Sequence, residues 1–85
     1  MGYQIIVPRP VQRQLDSLPQ EVRSRILKRL AGLKDNPRPR GCVKLKGYEN
    51  EYRVRIGNYR IRYEVRDDES TVVLLHCGHR KDAYR

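Results

Sequence analysis

The sequence lacks two of the large residues that often fill a core. Phenylalanine and tryptophan are absent, methionine occurs once, and the six tyrosines are the only aromatic residues. A chain of 85 residues has room for one domain, which buries on the order of 60% of its unfolded surface. We therefore expect a single domain over residues 1–85 with a thin hydrophobic core.

Cysteines and long apolar runs are also scarce. Cys42 and Cys77 are isolated from each other and lack the paired spacing that zinc sites show. His76 and His79 lie near Cys77, but alternation along a strand would point His76 and Cys77 to opposite faces. We therefore expect no metal, no cofactor and reduced thiols. Since no apolar run is long enough for a membrane span or a signal segment, we also expect a cytoplasmic protein without a membrane partner.

Acidic residues are few compared with basic ones. Ten Asp and Glu stand against nineteen Lys and Arg, so the formal net charge is +9, and fourteen of the nineteen basic residues are arginine. The planar guanidinium group matches the geometry of phosphate oxygens. The composition therefore favours a phosphate-bearing partner such as a nucleic acid.

Residues 51–66 have the pattern of a β-hairpin. Apolar and charged residues alternate on both sides of Gly57 and Asn58, a dipeptide that suits a two-residue hairpin turn with positive φ. This turn predicts a register in which one face is apolar. The predicted apolar pairs are Ile56 with Tyr59, Val54 with Ile61, and Tyr52 with Tyr63.

The opposite face of this hairpin carries like charges across from one another. The predicted pairs are Arg55 with Arg60, Arg53 with Arg62, and Glu51 with Glu64. Diagonally, Glu51 can reach Arg62 and Glu64 can reach Arg53, which leaves Arg55 and Arg60 with no acid beside them. Like charges directly opposite destabilise pairing. This face is either a solvated surface, with repulsion screened over about 10 Å, or a phosphate-binding surface. We favour the second interpretation because strands fix the spacing of the guanidinium groups.

Two helices are predicted before the hairpin. A first strand, residues 1–7, is ended by Pro8 and Pro10, and the helix that follows has apolar residues at Val11, Leu15 and Leu18. It ends before Pro19, and Ser17 with Gln20 has the spacing of a capping box for a second helix. The predicted buried positions of that second helix are Val22, Ile26, Leu27, Leu30 and Leu33.

The remaining segments are predicted to be loops and one strand. Residues 35–41 form a loop of prolines and glycine, and residues 42–47 continue it, with Lys44 and Lys46 able to reach phosphates. After a polar turn at 67–70, residues 71–78 are apolar on both faces, so this last strand should lie inside the sheet. The order β-α-α-β-β-β predicts an α+β domain, with an antiparallel or mixed sheet and a helical hairpin on one face.

This order of elements, together with KLKG at 44–47, YRVRIGNYRIRYEV at 52–65 and GHRKDAY at 78–84, resembles the RelE/ParE toxin superfamily. The closest resemblance is to the RelE-type mRNA interferases of bacterial toxin–antitoxin systems, and it covers nearly the whole chain. It implies an endoribonuclease that cuts mRNA in the ribosomal A site by attack of the 2′-hydroxyl group, without a metal. It also implies the ribosome, mRNA and a cognate antitoxin as partners.

The resemblance also assigns roles to individual residues. It places Arg53, Arg55 and Arg60 on the phosphate, Arg80 at the leaving oxygen and Tyr84 as the base. His79 departs from the family pattern, and we add it as a candidate acid because an imidazole can transfer protons near neutral pH. The RNA-binding candidates are Lys44, Lys46 and Arg62. A phenol such as Tyr84 would need nearby guanidinium groups to lower its pKa. Two alternatives remain open: a ParE-like toxin that inhibits DNA gyrase without cutting RNA, and a non-catalytic nucleic-acid-binding module.

Overall fold

The computed structural model describes residues 2–79 of the chain. The strands are β1 (Gln4–Ile6), β2 (Val43–Lys44), β3 (Glu51–Ile56), β4 (Tyr59–Arg66) and β5 (Thr71–His79), and the helices are α1 (Arg9–Asp16) and α2 (Gln20–Asp35). The predicted α+β class and the helical pair are confirmed. The element order differs at one place, because β2 was expected to be part of a loop.

The five strands form one mixed sheet in the order β1-β5-β4-β3-β2. β1 runs parallel to β5, and the other neighbouring pairs are antiparallel. The first half of β5 therefore has a partner on each side. This confirms that the last strand lies inside the sheet.

The β3–β4 hairpin has the predicted register. Val54 lies opposite Ile61, and Arg55 lies opposite Arg60. Gly57 adopts a positive φ of 59° while Asn58 does not, and a glycine first in a two-residue turn is typical of type II′ hairpins. The turn therefore forms with a positive φ at Gly57 and not at Asn58.

A β-bulge interrupts the pairing of β4 with β5. Tyr63 lies opposite Leu74 and Arg62 lies opposite His76, so Leu75 is the additional residue on β5. A bulge of this kind shifts the alternation of side chains by one position. The core residues of β5 are accordingly Val72 and Leu74 before the bulge and Cys77 after it.

The core lies between the two helices and one face of the sheet. Its buried members come from both layers: Val11, Leu15, Ile26, Leu30, Leu33, Tyr52, Val54, Ile61, Tyr63, Val65, Val72, Leu74 and Cys77. Tyrosine takes the place of the absent phenylalanine and tryptophan. Tyr63 is fully buried, and its hydroxyl donates a hydrogen bond of 2.8 Å to the carbonyl oxygen of Pro37, which satisfies the polar atom that a phenylalanine would lack.

Two predictions about α2 are wrong. Leu27 is 51% exposed, because Ile26, Leu30 and Leu33 already form the stripe that faces the sheet. The capping box is absent, since the N-cap of α2 is Pro19 and makes no side-chain cap bond. The Ser17 hydroxyl instead donates to the carbonyl oxygen of Gln14. Ser17 therefore ends α1 and does not begin α2.

The loop after α2 is fixed to the rest of the domain by Arg38. Its guanidinium group donates to both carboxylate oxygens of Asp67, at 3.2 and 2.7 Å, and to the hydroxyl of Tyr52 at 2.8 Å. The Tyr3 hydroxyl also donates to Asp67, at 2.7 Å. The bonds from Arg38 and then Tyr3 lower the pKa of Asp67 to about 2. This cluster joins the loop, the turn before β5 and the start of the chain.

Candidate nucleic-acid interface

Four arginines lie on the sheet face opposite the helices, and we call this surface the arginine face. Its members are Arg53, Arg55, Arg60 and Arg62. The register gives two rows across three strands, one of Arg53, Arg62 and His76 and one of Arg55, Arg60 and Gly78. Residues paired across strands point to the same side of a sheet, and the residues between these rows, including Val54 and Ile61, are fully buried on the other side. The predicted arginine cluster is thus present on adjacent strands.

The arginines of this face differ in exposure. Arg60 is 5% exposed, which is unusual for a cation because burial removes it from water. Arg55 is exposed and forms no ion pair with any residue from 2 to 79. The arginine face therefore has one nearly buried guanidinium group, that of Arg60, and one exposed guanidinium group, that of Arg55, which a ligand can reach.

The acidic residues near this face pair with only part of it. Glu51 accepts a hydrogen bond of 3.0 Å from Arg62, as the register predicted. Glu64 does not pair with Arg53, because it accepts a bond of 2.7 Å from Arg66 on its own strand. The prediction for Glu64 was therefore wrong. The positive charge of Arg53 and Arg55 is left without an ion pair among the described residues.

The two histidines of β5 lie on opposite faces. His79 pairs with Tyr59 in the register and contacts its ring edge-on, with the ring centroids 5.4 Å apart, so it lies on the helix side of the sheet. The register does not bring His79 to the arginine face. His76 lies there instead, beside Arg62. Sequence analysis missed this residue, because strict alternation from Val72 would put His76 in the core.

Arg62 and His76 each bury a nitrogen atom that has no hydrogen-bond partner among residues 2–79, Nε and Nδ1 respectively. The two residues lie opposite each other in the register. Buried polar groups are normally hydrogen-bonded. These two atoms therefore leave hydrogen-bonding capacity unsatisfied within the described part of the chain.

The predicted lysines lie at the far edge of the sheet. Lys44 pairs with Tyr52, so it belongs to the helix side of the sheet and does not share the arginine face. Lys46 follows β2 in an exposed loop. Residues 44–49 surround an open hollow of about 690 Å³. Within it Tyr48, which sequence analysis did not select, lies with its ring centroid 6.0 Å from the guanidinium carbon of Arg62.

The remaining predictions concern Arg80 and Tyr84 at the end of the chain, metal binding and the cysteines. Arg80 and Tyr84 lie outside the described residues. Within residues 2–79, no three His, Cys, Asp or Glu side chains come together in a way that could hold a metal ion. Cys77 is buried, and this burial raises the pKa of its thiol to about 11. It is therefore not a thiolate nucleophile at neutral pH.

The fold and the arginine face together define a small α+β protein suited to binding a polyanion. Residues 5–84 match the family described as ParE toxin of type II toxin-antitoxin system, parDE. The chain therefore belongs to this toxin family, and its predicted membership of the RelE/ParE superfamily is confirmed.

In the described part of the chain, no helix has the length and apolar character needed to cross a membrane.

Several relatives carry the RelE name or one close to it. A chain of the archaeal RelE–RelB complex from Pyrococcus horikoshii OT3 is similar over 94% of this chain and 97% of its own length, with 30% identity and a TM-score of 0.84. Toxin RelG of Mycobacterium tuberculosis is 29% identical over 100% of this chain and 99% of its own length. Toxin RelE3 of Methanocaldococcus jannaschii is 51% identical over 41 residues, which are 48% of this chain and 44% of that protein.

Proposed function

We propose that this protein is a RelE-type toxin that cuts mRNA on the ribosome. The observation that carries the proposal is the arginine face, in which guanidinium groups lie on adjacent strands and Arg55 is exposed without an ion pair among residues 2–79. Preorganised positive charge of this kind stabilises a phosphate as negative charge develops on it. The relatives named RelE support the choice of reaction. A cytoplasmic location is part of the proposal because mRNA is translated there.

The proposed reaction needs no group beyond the protein and the RNA. A base removes the proton of the 2′-hydroxyl, the 2′-oxygen attacks the adjacent phosphorus, and the bond from phosphorus to the 5′-oxygen breaks. A 2′,3′-cyclic phosphate forms, and the leaving 5′-oxygen takes up a proton. We assign the phosphate to Arg53, Arg55 and Arg60, the base to Tyr84, and stabilisation of the leaving oxygen to Arg80. His79 receives no role because it lies on the other face.

Primer extension on a translated message tests this proposal. The wild-type protein should produce cuts at fixed positions within codons, and Arg80→Ala should abolish them while ribosome binding is largely retained. Arg29→Ala, which removes an exposed arginine of α2, is the matched control and should cut normally. Naked single-stranded RNA should be cut slowly, because alignment of the 2′-hydroxyl provides much of the rate. Absence of codon-positioned cuts by folded wild-type protein would refute the interferase assignment.

A second candidate function follows from the name of the matching family, ParE toxin. A ParE-like protein would inhibit DNA gyrase and leave mRNA intact. A supercoiling assay with purified gyrase separates the two functions. Inhibition of supercoiling at protein concentrations that produce no mRNA cuts would favour the ParE-like function, whereas the interferase proposal expects the reverse.

We also propose a cognate antitoxin as partner. The similar Pyrococcus protein is described in complex with RelB, and the net charge of +9 suits an acidic segment that folds on binding. Expression of this protein alone should arrest growth, and co-expression of the neighbouring small gene should restore it. Harmless expression of the folded wild-type protein, or failure of the two products to co-purify, would contradict this pairing.

A further inference from the structure

Tyr48 is an exposed aromatic residue at the margin of the arginine face. The large apolar side chains exposed in the described chain are Ile6, Leu27, Val43, Tyr48 and Leu75, and Tyr48, at 52%, is the aromatic one among them. Aromatic side chains are normally placed in cores, and this chain has no phenylalanine or tryptophan to spare. Tyr48 is therefore an aromatic ring that the core does not use.

The Tyr48 ring has a cation as its neighbour. The guanidinium carbon of Arg62 lies 6.0 Å from the ring centroid, within the range of a cation–π contact. Arg62 is in turn held by Glu51, at 3.0 Å. Because more than half of Tyr48 remains exposed, the contact with Arg62 leaves ring surface open to a second planar group.

The charges around the ring favour a nucleotide. Tyr48 lines a hollow of about 690 Å³ together with Lys46, whose side chain is exposed, and Arg62 of the arginine face lies beside its ring. Cationic groups that can contact phosphate oxygens, next to an aromatic ring on which a base can stack, form the usual arrangement for unpaired nucleic acid. Arg53 and Arg55 continue the positive charge along the adjoining strand.

We propose that Tyr48 is a base-stacking residue, and that it holds an unpaired base of the RNA strand whose phosphate lies on the arginine face. This inference rests on the proposed function for the identity of the strand. The base flanks the phosphate that is cut, so Tyr48 contributes to the position of the strand and to the preference for bases at one site. Its hydroxyl is not required, since stacking uses the ring alone.

Binding of two synthetic RNAs tests the proposal without relying on cleavage. One is a short single-stranded RNA blocked at every 2′-oxygen by methylation, and the other has the same backbone but is abasic throughout. Tyr48→Ala should weaken binding of the first RNA by about fivefold to a hundredfold, the range for loss of one aromatic stack, and should leave the abasic RNA unchanged. Tyr48→Phe should bind both RNAs like the wild type. Leu27→Ala, which truncates another exposed apolar residue, should change neither affinity.

Other results would overturn the proposal. Equal losses for both RNAs would show that Tyr48 acts on the backbone or on the fold, and no loss for either would remove it from the interface. A loss of antitoxin binding with RNA binding intact would assign the ring to a protein partner. The interferase proposal can fail separately. If no codon-positioned cuts occur but the base-dependent loss remains, the protein binds unpaired nucleic acid through Tyr48 without cutting it.

Discussion

Arg55→Gln tests whether RNA phosphates lie on the arginine face. Arg55 is exposed and has no ion pair among residues 2–79, so its replacement breaks no interaction within the described fold. It also lies opposite Arg60, and removal of one of two facing like charges should not destabilise the hairpin. We therefore expect a thermal midpoint no lower than that of the wild type. Any loss of RNA binding then reports the contact itself.

The magnitude follows from the release of counterions. Each phosphate neutralised on a single strand contributes about −0.7 to the slope of log K against log salt concentration. The loss of one contact should make the slope shallower by about 0.7. Between 50 and 200 mM salt, the ratio of wild-type to variant affinity should then fall by about 2.6-fold. A titration series with labelled single-stranded RNA at four salt concentrations resolves this change.

Arg29→Gln is the matched control for this measurement. It removes the same charge from the exposed side of α2, which lies on the opposite side of the sheet from Arg55. Its slope should remain close to that of the wild type, because distant exposed charges are screened in ordinary salt. Equal slopes for the two variants would refute the assignment of the phosphates to the arginine face and would leave net charge alone as the source of binding.

Three further substitutions test particular parts of the structure. His76→Gln should slow cleavage more than His79→Gln, because His76 lies beside Arg62 on the arginine face and His79 lies on the other face. The reverse order in single-turnover assays would contradict the face assignment. Asp67→Asn should flatten the dependence of the free energy of unfolding on acid pH. The wild-type carboxylate, whose pKa is lowered to about 2, stabilises the fold above about pH 4, and this contribution is lost progressively towards pH 2. Parallel acid-unfolding curves for the variant and the wild type would refute this prediction. Tyr63→Phe should lower the free energy of unfolding by about 1–2 kcal/mol, because it leaves the Pro37 carbonyl oxygen unpaired. An unchanged thermal midpoint would show that this bond adds nothing to the stability of the fold.

The hairpin could be predicted from the sequence because its information is local. Alternation with period two and a glycine at the turn determine which residues face each other, and tertiary packing then only selects which face is covered. The pairing of Val54 with Ile61 and of Arg55 with Arg60 needs no knowledge of the other strands. The resemblance to the toxin superfamily rested largely on this same segment.

The errors occurred where a position depends on distant contacts. β2 has only Val43 and Lys44, too few residues to alternate, and it exists through pairing with β3. Leu27 is apolar and lies one position from Ile26, so a helical periodicity cannot decide which of the two the sheet covers. Ser17 could end one helix or begin the next, because only three residues separate α1 from α2.

The bulge at Leu75 shows how one non-local feature determines the composition of the site. If β5 alternated strictly from Val72 and Leu74, His76 would lie in the core, and Cys77 and His79 would lie among the arginines. The additional residue reverses this arrangement, because β4 pairs with Leu74 and His76 and omits Leu75. Cys77 is thereby buried as a neutral thiol, and the imidazole of His76 lies beside Arg62. The arginines of the site are therefore determined by the hairpin, whereas the identity of its histidine is determined by how β5 pairs with that hairpin.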